Sequence, residues 1–219
     1  MPKSAVFALS LLFAVALPVG AAAQTLEDYD YENLSLRGIG VELGSVMPHG
    51  IDRTLSLGVR ADLGELGPNL RIVPRASYWS SSLRRAEVAA LREQILRLCR
   101  DPQADCLREF GEVALSELVL GVDAHYTFPD YVGDPYLGAG VGVHFLNGGG
   151  ELINGTFVED GLDAVAPGIA LVAGVELPLG SALRLFAEAR GTLSSEVRTA
   201  GIHLGGTLTF APHLPRGIR

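Results

Sequence analysis

Stretches of this chain alternate between apolar and polar side chains with a period of two, and that pattern restricts the fold more than any other feature. They run over 33–46, 54–64, 70–81, 116–128, 136–145, 168–177, 183–192 and 201–210. Successive side chains of a strand point to opposite faces, so each stretch reads as a strand with two chemically distinct sides. In 54–64, Leu55, Leu57, Val59, Ala61 and Leu63 share one face, and Ser56, Gly58, Arg60 and Asp62 share the other. Turn formers separate the strands, among them Pro48-His49-Gly50, Gly67-Pro68-Asn69 and Leu179-Gly180-Ser181. Pro74 interrupts the third strand and removes a ladder donor, so a bulge or local distortion is expected there.

Eight such strands suggest a barrel, and the next question is which face lies inside. A soluble barrel hides its apolar face, whereas a membrane barrel exposes it. The apolar faces of these stretches carry no charged residue, as a lipid-facing wall requires, since an Arg there costs roughly 2–4 kcal/mol at the midplane. The polar faces are crowded with glycine, which suits a tight lumen better than a solvated surface. They also hold charges of both signs: Glu42, Asp62, Glu117, Asp123, Glu176 and Glu188 against Arg60, Arg71, Arg75, Arg184 and Arg190. Buried charges must pair, so these residues are expected to form a lumen network. Strands of about 10–11 residues, tilted by roughly 45°, match the height of an apolar membrane band. Tyr126, Phe128 and Phe210 at one end and Tyr78 and Phe145 at the other resemble two interfacial girdles.

The rest of the chain is organised around these strands. Residues 1–23 read as a secretory signal peptide, with Lys3, an apolar run from Ala5 to Val19, and Ala21-Ala22-Ala23 at a cleavage site. A periplasmic segment over 24–32, the barrel over 33–210 and a tail over 211–219 would follow. The formal charge of −8 argues against a nucleic-acid partner, which is held mainly by basic contacts to phosphate.

The loop over about 82–115 abandons the period of two. Val88, Leu91, Ile95 and Leu98 recur at helical spacing, and Ala104, Leu107 and Phe110 give a second stripe after Asp101-Pro102. A short helical hairpin is the expectation, its stripes packed on each other or on the barrel mouth. The only cysteines, Cys99 and Cys106, both fall in this loop. In an oxidising compartment the pair suggests a disulfide, adding roughly 2.5 kcal/mol. Free thiols and a metal site are the alternatives, though a metal site would need more ligands nearby and no His lies in the loop.

Little here points to catalysis or to a cofactor. His125, His144 and His203 fall on polar faces beside carboxylates, and a hydrolase can be built from such parts. No nucleophile motif accompanies them, so they read as lumen hydrogen-bonding residues. Gly138-Ala139-Gly140-Val141-Gly142 lies inside a strand without the helix that would cradle a phosphate. An eight-stranded barrel is just wide enough for side chains to fill, so no wide pore is expected.

With its leader, its eight strands and a last strand running from Gly201 to Phe210, the chain resembles the small outer-membrane β-barrel family of OmpA-like and OmpX-like transmembrane domains. The nine residues after Phe210 depart from members that stop there. The resemblance implies an all-β, eight-stranded, antiparallel, up-and-down transmembrane barrel with its N-terminus in the periplasm. It implies outer-membrane lipid and the barrel-assembly machinery as partners, with the 82–115 loop facing outward as a contact surface for an extracellular partner. The function expected is a non-enzymatic role in envelope structure or surface interaction. A lipid-modifying barrel enzyme and a secreted soluble barrel holding an apolar ligand are the alternatives.

Overall fold

The computed structural model describes residues 34–98, 111–129, 131, 133–150 and 162–210, with backbone only over 94–98. Its strands are β1 (Gly38–Pro48), β2 (Thr54–Asp62), β3 (Glu65–Gly67), β4 (Leu70–Ser82), β5 (Ala114–Thr127), β6 (Asp134–Gly149), β7 (Ala164–Leu179), β8 (Leu183–Ser194) and β9 (Arg198–Thr209). All pairings are antiparallel, in the order β2-β1-β9-β8-β7-β6-β5-β4-β3, and β2 pairs with β4 to close the sheet on itself. β3 is a three-residue continuation of the β2 wall, so the barrel has eight walls in an up-and-down arrangement.

Pro74 lies where that wall breaks. Its register with β5 is uninterrupted, from Leu70↔Tyr126 to Ser82↔Ala114. On the other side, the β2 ladder ends at Arg60↔Arg75 and resumes one residue out of step at Glu65↔Arg71. Ile72 donates its N–H to Gly64 O at 3.0 Å, so by alternation Pro74 also turns its nitrogen toward the β2 side. The missing donor therefore falls in the gap. The distortion expected from the sequence is confined to one of the two ladders.

One end of the barrel, the turn end, carries tight connections. Asn69 (φ 62°) and Gly180 (φ 73°) take left-handed conformations there, which asparagine and glycine tolerate best. The other, the loop end, carries the long connections. There β6 and β7 run for 16 residues each, beyond the 10–11 expected. At about 3.3 Å per residue and a tilt near 45° they rise roughly 37 Å, higher than an apolar band of about 25 Å. Residues beyond the band need not alternate strictly, which is why their strand character is faint in the sequence.

The radial distribution is inverted relative to a soluble protein. Leu55, Leu57, Val141, Val165 and Leu171 are each 65–67% exposed on the outer wall, while Glu117, Glu176, Asp123 and His144 are 1–2% exposed inside. One helix is described, α1 (Arg85–Leu98). Its Val88 and Leu91 pack with Leu83 and Leu162 against buried Val113 at the loop end. The second stripe expected for a hairpin, Ala104, Leu107 and Phe110, lies outside the described residues, as do Cys99, Cys106, the 1–23 leader and the 211–219 tail. No described helix is long and apolar enough to cross a membrane.

Candidate functional site

The lumen is built by the inward residues of all eight walls and is layered along its axis. At the turn end, Glu176 of β7 accepts Arg60 Nη2 at 2.8 Å and Arg71 Nη1 at 2.7 Å, with Arg184 Nη1 at 3.5 Å. Asp62 stands 3.8 Å from Arg71 and 3.6 Å from Arg184. The Arg60 guanidinium also lies over the Phe186 ring, 3.3 Å from its centroid, a cation–π contact.

One layer up, Glu188 takes Tyr136 Oη at 2.8 Å and Arg190 Nη2 at 2.7 Å, and His125 stacks on Tyr136 at 4.6 Å between ring centroids. Arg190 forks onto Asp123 at 2.6 and 3.2 Å, a bidentate geometry that fixes direction as well as charge. Arg75 Nη2 approaches Glu42 Oε1 at 3.5 Å and donates to Ser77 Oγ at 2.8 Å. His203 Nδ1 lies 3.7 Å from the same Glu42 oxygen.

Above this sits a cavity of about 40 Å3, lined by residues that include Ser56, Arg75, Asp123, His144, Arg190 and His203. It has room for two or three waters. Glu42 Oε1, Ser56 Oγ, Arg75 Nε and His203 Nδ1 are buried without a hydrogen-bond partner among the described residues, and waters in such a cavity would serve them. At its upper edge Glu117 accepts Trp79 Nε1–H at 2.6 Å on one oxygen and meets His144 Nδ1 at 2.7 Å on the other. The loop end is then closed by an apolar cluster of Val46, Ile51, Trp79, Leu115, Leu146 and Val197.

Glycine makes this filling possible. Across the ladders, Gly44 faces His203, Gly58 faces Glu42, Gly138 faces His125, Gly140 faces Asp123 and Gly174 faces Tyr136. A Cβ on Gly138 would stand 2.7 Å from His125, and one on Gly140 would collide with the Asp123 carboxylate. These five large lumen side chains thus each have a neighbour with none.

All the charged residues singled out by parity, Glu42, Arg60, Asp62, Arg71, Arg75, Glu117, Asp123, Glu176, Arg184, Glu188 and Arg190, lie in the lumen. The three histidines meet different carboxylates, His125 near Asp123, His203 near Glu42 and His144 on Glu117, and of the three His144 and His203 line the cavity. Trp79, Tyr136 and Phe186 are lumen residues that apolar character alone disguises. Parity could have found them, because Trp79 is in step with Arg75 and Ser77, Tyr136 with Gly138, and Phe186 with Arg184 and Glu188. The outer wall also differs from expectation at one point. β9 begins three residues early, so Arg198 stands exposed in step with outward Ile202 and Leu204.

No protein-family model and no curated protein matches the chain. Solved structures do. Neisserial surface protein A aligns over 79% of this chain and 96% of its own, with 14% identity and a TM-score of 0.53. A major outer membrane protein from Thermus thermophilus aligns over 80% of this chain and 100% of its own, with 14% identity and a TM-score of 0.50. The attachment invasion locus protein of Yersinia pestis also matches, with 14% identity and a TM-score of 0.40. Almost the full length of the first two barrels is therefore reproduced here, and the chain has the fold of the small eight-stranded outer-membrane β-barrels.

Proposed function

We propose that this protein is an integral outer-membrane barrel with a filled lumen, acting in envelope structure or in contacts made by its loop end. The carrying observation is the inverted wall, with aliphatic side chains exposed all round and carboxylates and guanidiniums sealed within. An apolar belt of this extent needs lipid or a partner to cover it. Buried ion pairs that cross the lumen, Arg60–Glu176 and Arg190–Asp123, and the apolar cluster at the loop end favour anchoring and contact over passage of solutes. The loop end faces outward in this reading, and α1 offers the contact surface. Cys99 and Cys106, both in that loop, are proposed to form a disulfide, and labelling of both thiols in the oxidised protein would overturn it.

Cell fractionation and a detergent gel test the main proposal. The expected result is recovery with outer membranes and faster migration unboiled than boiled. Release into the soluble fraction without a heat shift would turn the apolar wall into an interior and defeat it. Among the described residues, the Glu117–His144 hydrogen bond is the arrangement that most favours a lipid-modifying enzyme, but His144 is 1% exposed and lies beneath the apolar cluster, closed to a lipid substrate.

A further inference from the structure

Arg198 is the one charged residue that the described strands turn outward, and it stands at the loop-end start of β9. It is joined there by Arg53, which precedes β2 and is in step with outward Leu55, Leu57 and Val59. Between them runs β1. His49 N donates to Arg198 O at 2.9 Å, which ties the β1–β2 turn to β9. Arg53 Nε donates to Ser45 Oγ at 2.7 Å, and Ser45 is on the outward face of β1. That bond draws the guanidinium down along the wall. By register Arg53 is level with Met47 and Arg198 with His49, so at about 4.8 Å per strand and about 3.4 Å per residue their backbones flank β1 roughly 12 Å apart, within reach of one group for two long side chains. Below Ser45 the outward face is bare and apolar, with Leu43 52% exposed, Leu57 65% and Leu204 59% in one row across the three strands. The nearby acids are Asp52 and Glu196 of the turns and Glu87 of α1, which packs beside Gly50, and Asp52 is already 3.9 Å from Arg84.

A cationic pair set immediately above an exposed aliphatic column matches one kind of molecule, with a phosphate on top and acyl chains beneath. We propose that Arg53 and Arg198 form a docking site for the phosphate headgroup of an anionic lipid in the leaflet at the loop end. This rests on the membrane-barrel reading above. The acyl chains lie along Leu43, Leu57 and Leu204 while the two guanidiniums hold the headgroup, a charge-assisted contact that arginine makes well.

The test is native mass spectrometry of the heat-shifting, detergent-purified barrel titrated with phosphatidic acid or phosphatidylcholine. Wild type is expected to retain one phosphatidic acid and to hold phosphatidylcholine far more weakly. The double variant Arg53→Gln/Arg198→Gln should bind phosphatidic acid about thirtyfold more weakly, at about fivefold per arginine. Arg53→Lys/Arg198→Lys should recover most of that loss, and Arg85→Gln on α1 should match wild type. Equal retention by the glutamine variant, or displacement of the lipid by the same concentration of inorganic phosphate, overturns the site. A wild-type barrel that shifts on heating but retains no phosphatidic acid also overturns it and leaves the membrane reading intact. Absence of the heat shift defeats the membrane reading instead.

Discussion

Glu176 offers the sharpest test of whether charge pairing holds the lumen together. Its side chain is 1% exposed, and its two oxygens take Arg60 at 2.8 Å and Arg71 at 2.7 Å, with Arg184 at 3.5 Å. Glu176→Gln preserves the shape and one acceptor oxygen. It removes the negative charge that three guanidiniums share. Two short charge-assisted bonds are weakened, each worth about 1.5–3 kcal/mol. Removing one partner of a buried pair typically costs about 3–5 kcal/mol, because the remaining charge is left without compensation. The expected loss is therefore about 3–5 kcal/mol, read as a lower urea midpoint for the barrel refolded in micelles. Both the heat-shift gel and Trp79 fluorescence can follow it. Arg71→Gln and the double variant complete a cycle, with an expected coupling of at least about 1.5 kcal/mol. Arg84→Gln, which breaks a 3.9 Å pair between groups 54% and 66% exposed, is the control and should change stability by less than about 0.5 kcal/mol. A loss under about 1 kcal/mol for Glu176→Gln, or additivity within about 0.5 kcal/mol, would refute the reasoning and make the network a passive filling.

Other substitutions separate the two faces. Gly140→Ala pushes a methyl into the Asp123 carboxylate and should cost about 1–3 kcal/mol by overpacking, whereas Gly191→Ala, with nothing within 4 Å, should be neutral or slightly stabilising in the same urea titration. Leu171→Arg, at a position 67% exposed, should lose about 2–4 kcal/mol in a bilayer, and a change under about 0.5 kcal/mol would mean that this wall does not meet lipid. Trp79, the only tryptophan, should be quenched by brominated lipid much less than a tryptophan moved to position 57 in a Trp79→Phe background; the reverse order would put residue 79 on the outer wall. Planar-bilayer recordings of the purified protein should show no large, steady conductance, given a lumen crossed by buried ion pairs such as Arg60–Glu176 and Arg190–Asp123.

The strands and their faces were legible because a barrel wall imposes a period of two on every residue within the apolar band. Leu55 to Leu63 and Leu137 to Phe145 declare their outer face without help from any neighbour. Lumen aromatics were not legible in this way. Trp79 and Phe186 look like wall residues by type, and only their step relative to Arg75 and Glu188 assigns them inward. Which charges meet was also hidden, because strand stagger sets the height of each side chain and periodicity says nothing about stagger. Arg198 escaped notice for the opposite reason. Past the apolar band the alternation loosens, so the start of β9 had no clear mark in the sequence. α1 was half legible, with Val88 and Leu91 facing the mouth as their spacing suggested.

The partners in the lumen come from strands that are not neighbours. Arg60 and Glu176 are 116 residues apart and sit on β2 and β7, which stand four walls apart in the sheet order, on opposite sides of the barrel. Arg190 and Asp123 are 67 residues apart and join β8 to β5 across three walls. An open sheet cannot make these bonds, since flat neighbours hold such side chains many strand spacings apart. They form only once β1 and β2 have closed against β9 and β4. Before closure, each of these charges is unpaired and favours water. After closure, each is desolvated and needs its partner. The same residues that oppose burial of a half-formed wall therefore stabilise the finished barrel, and the glycines opposite them let the two sides meet.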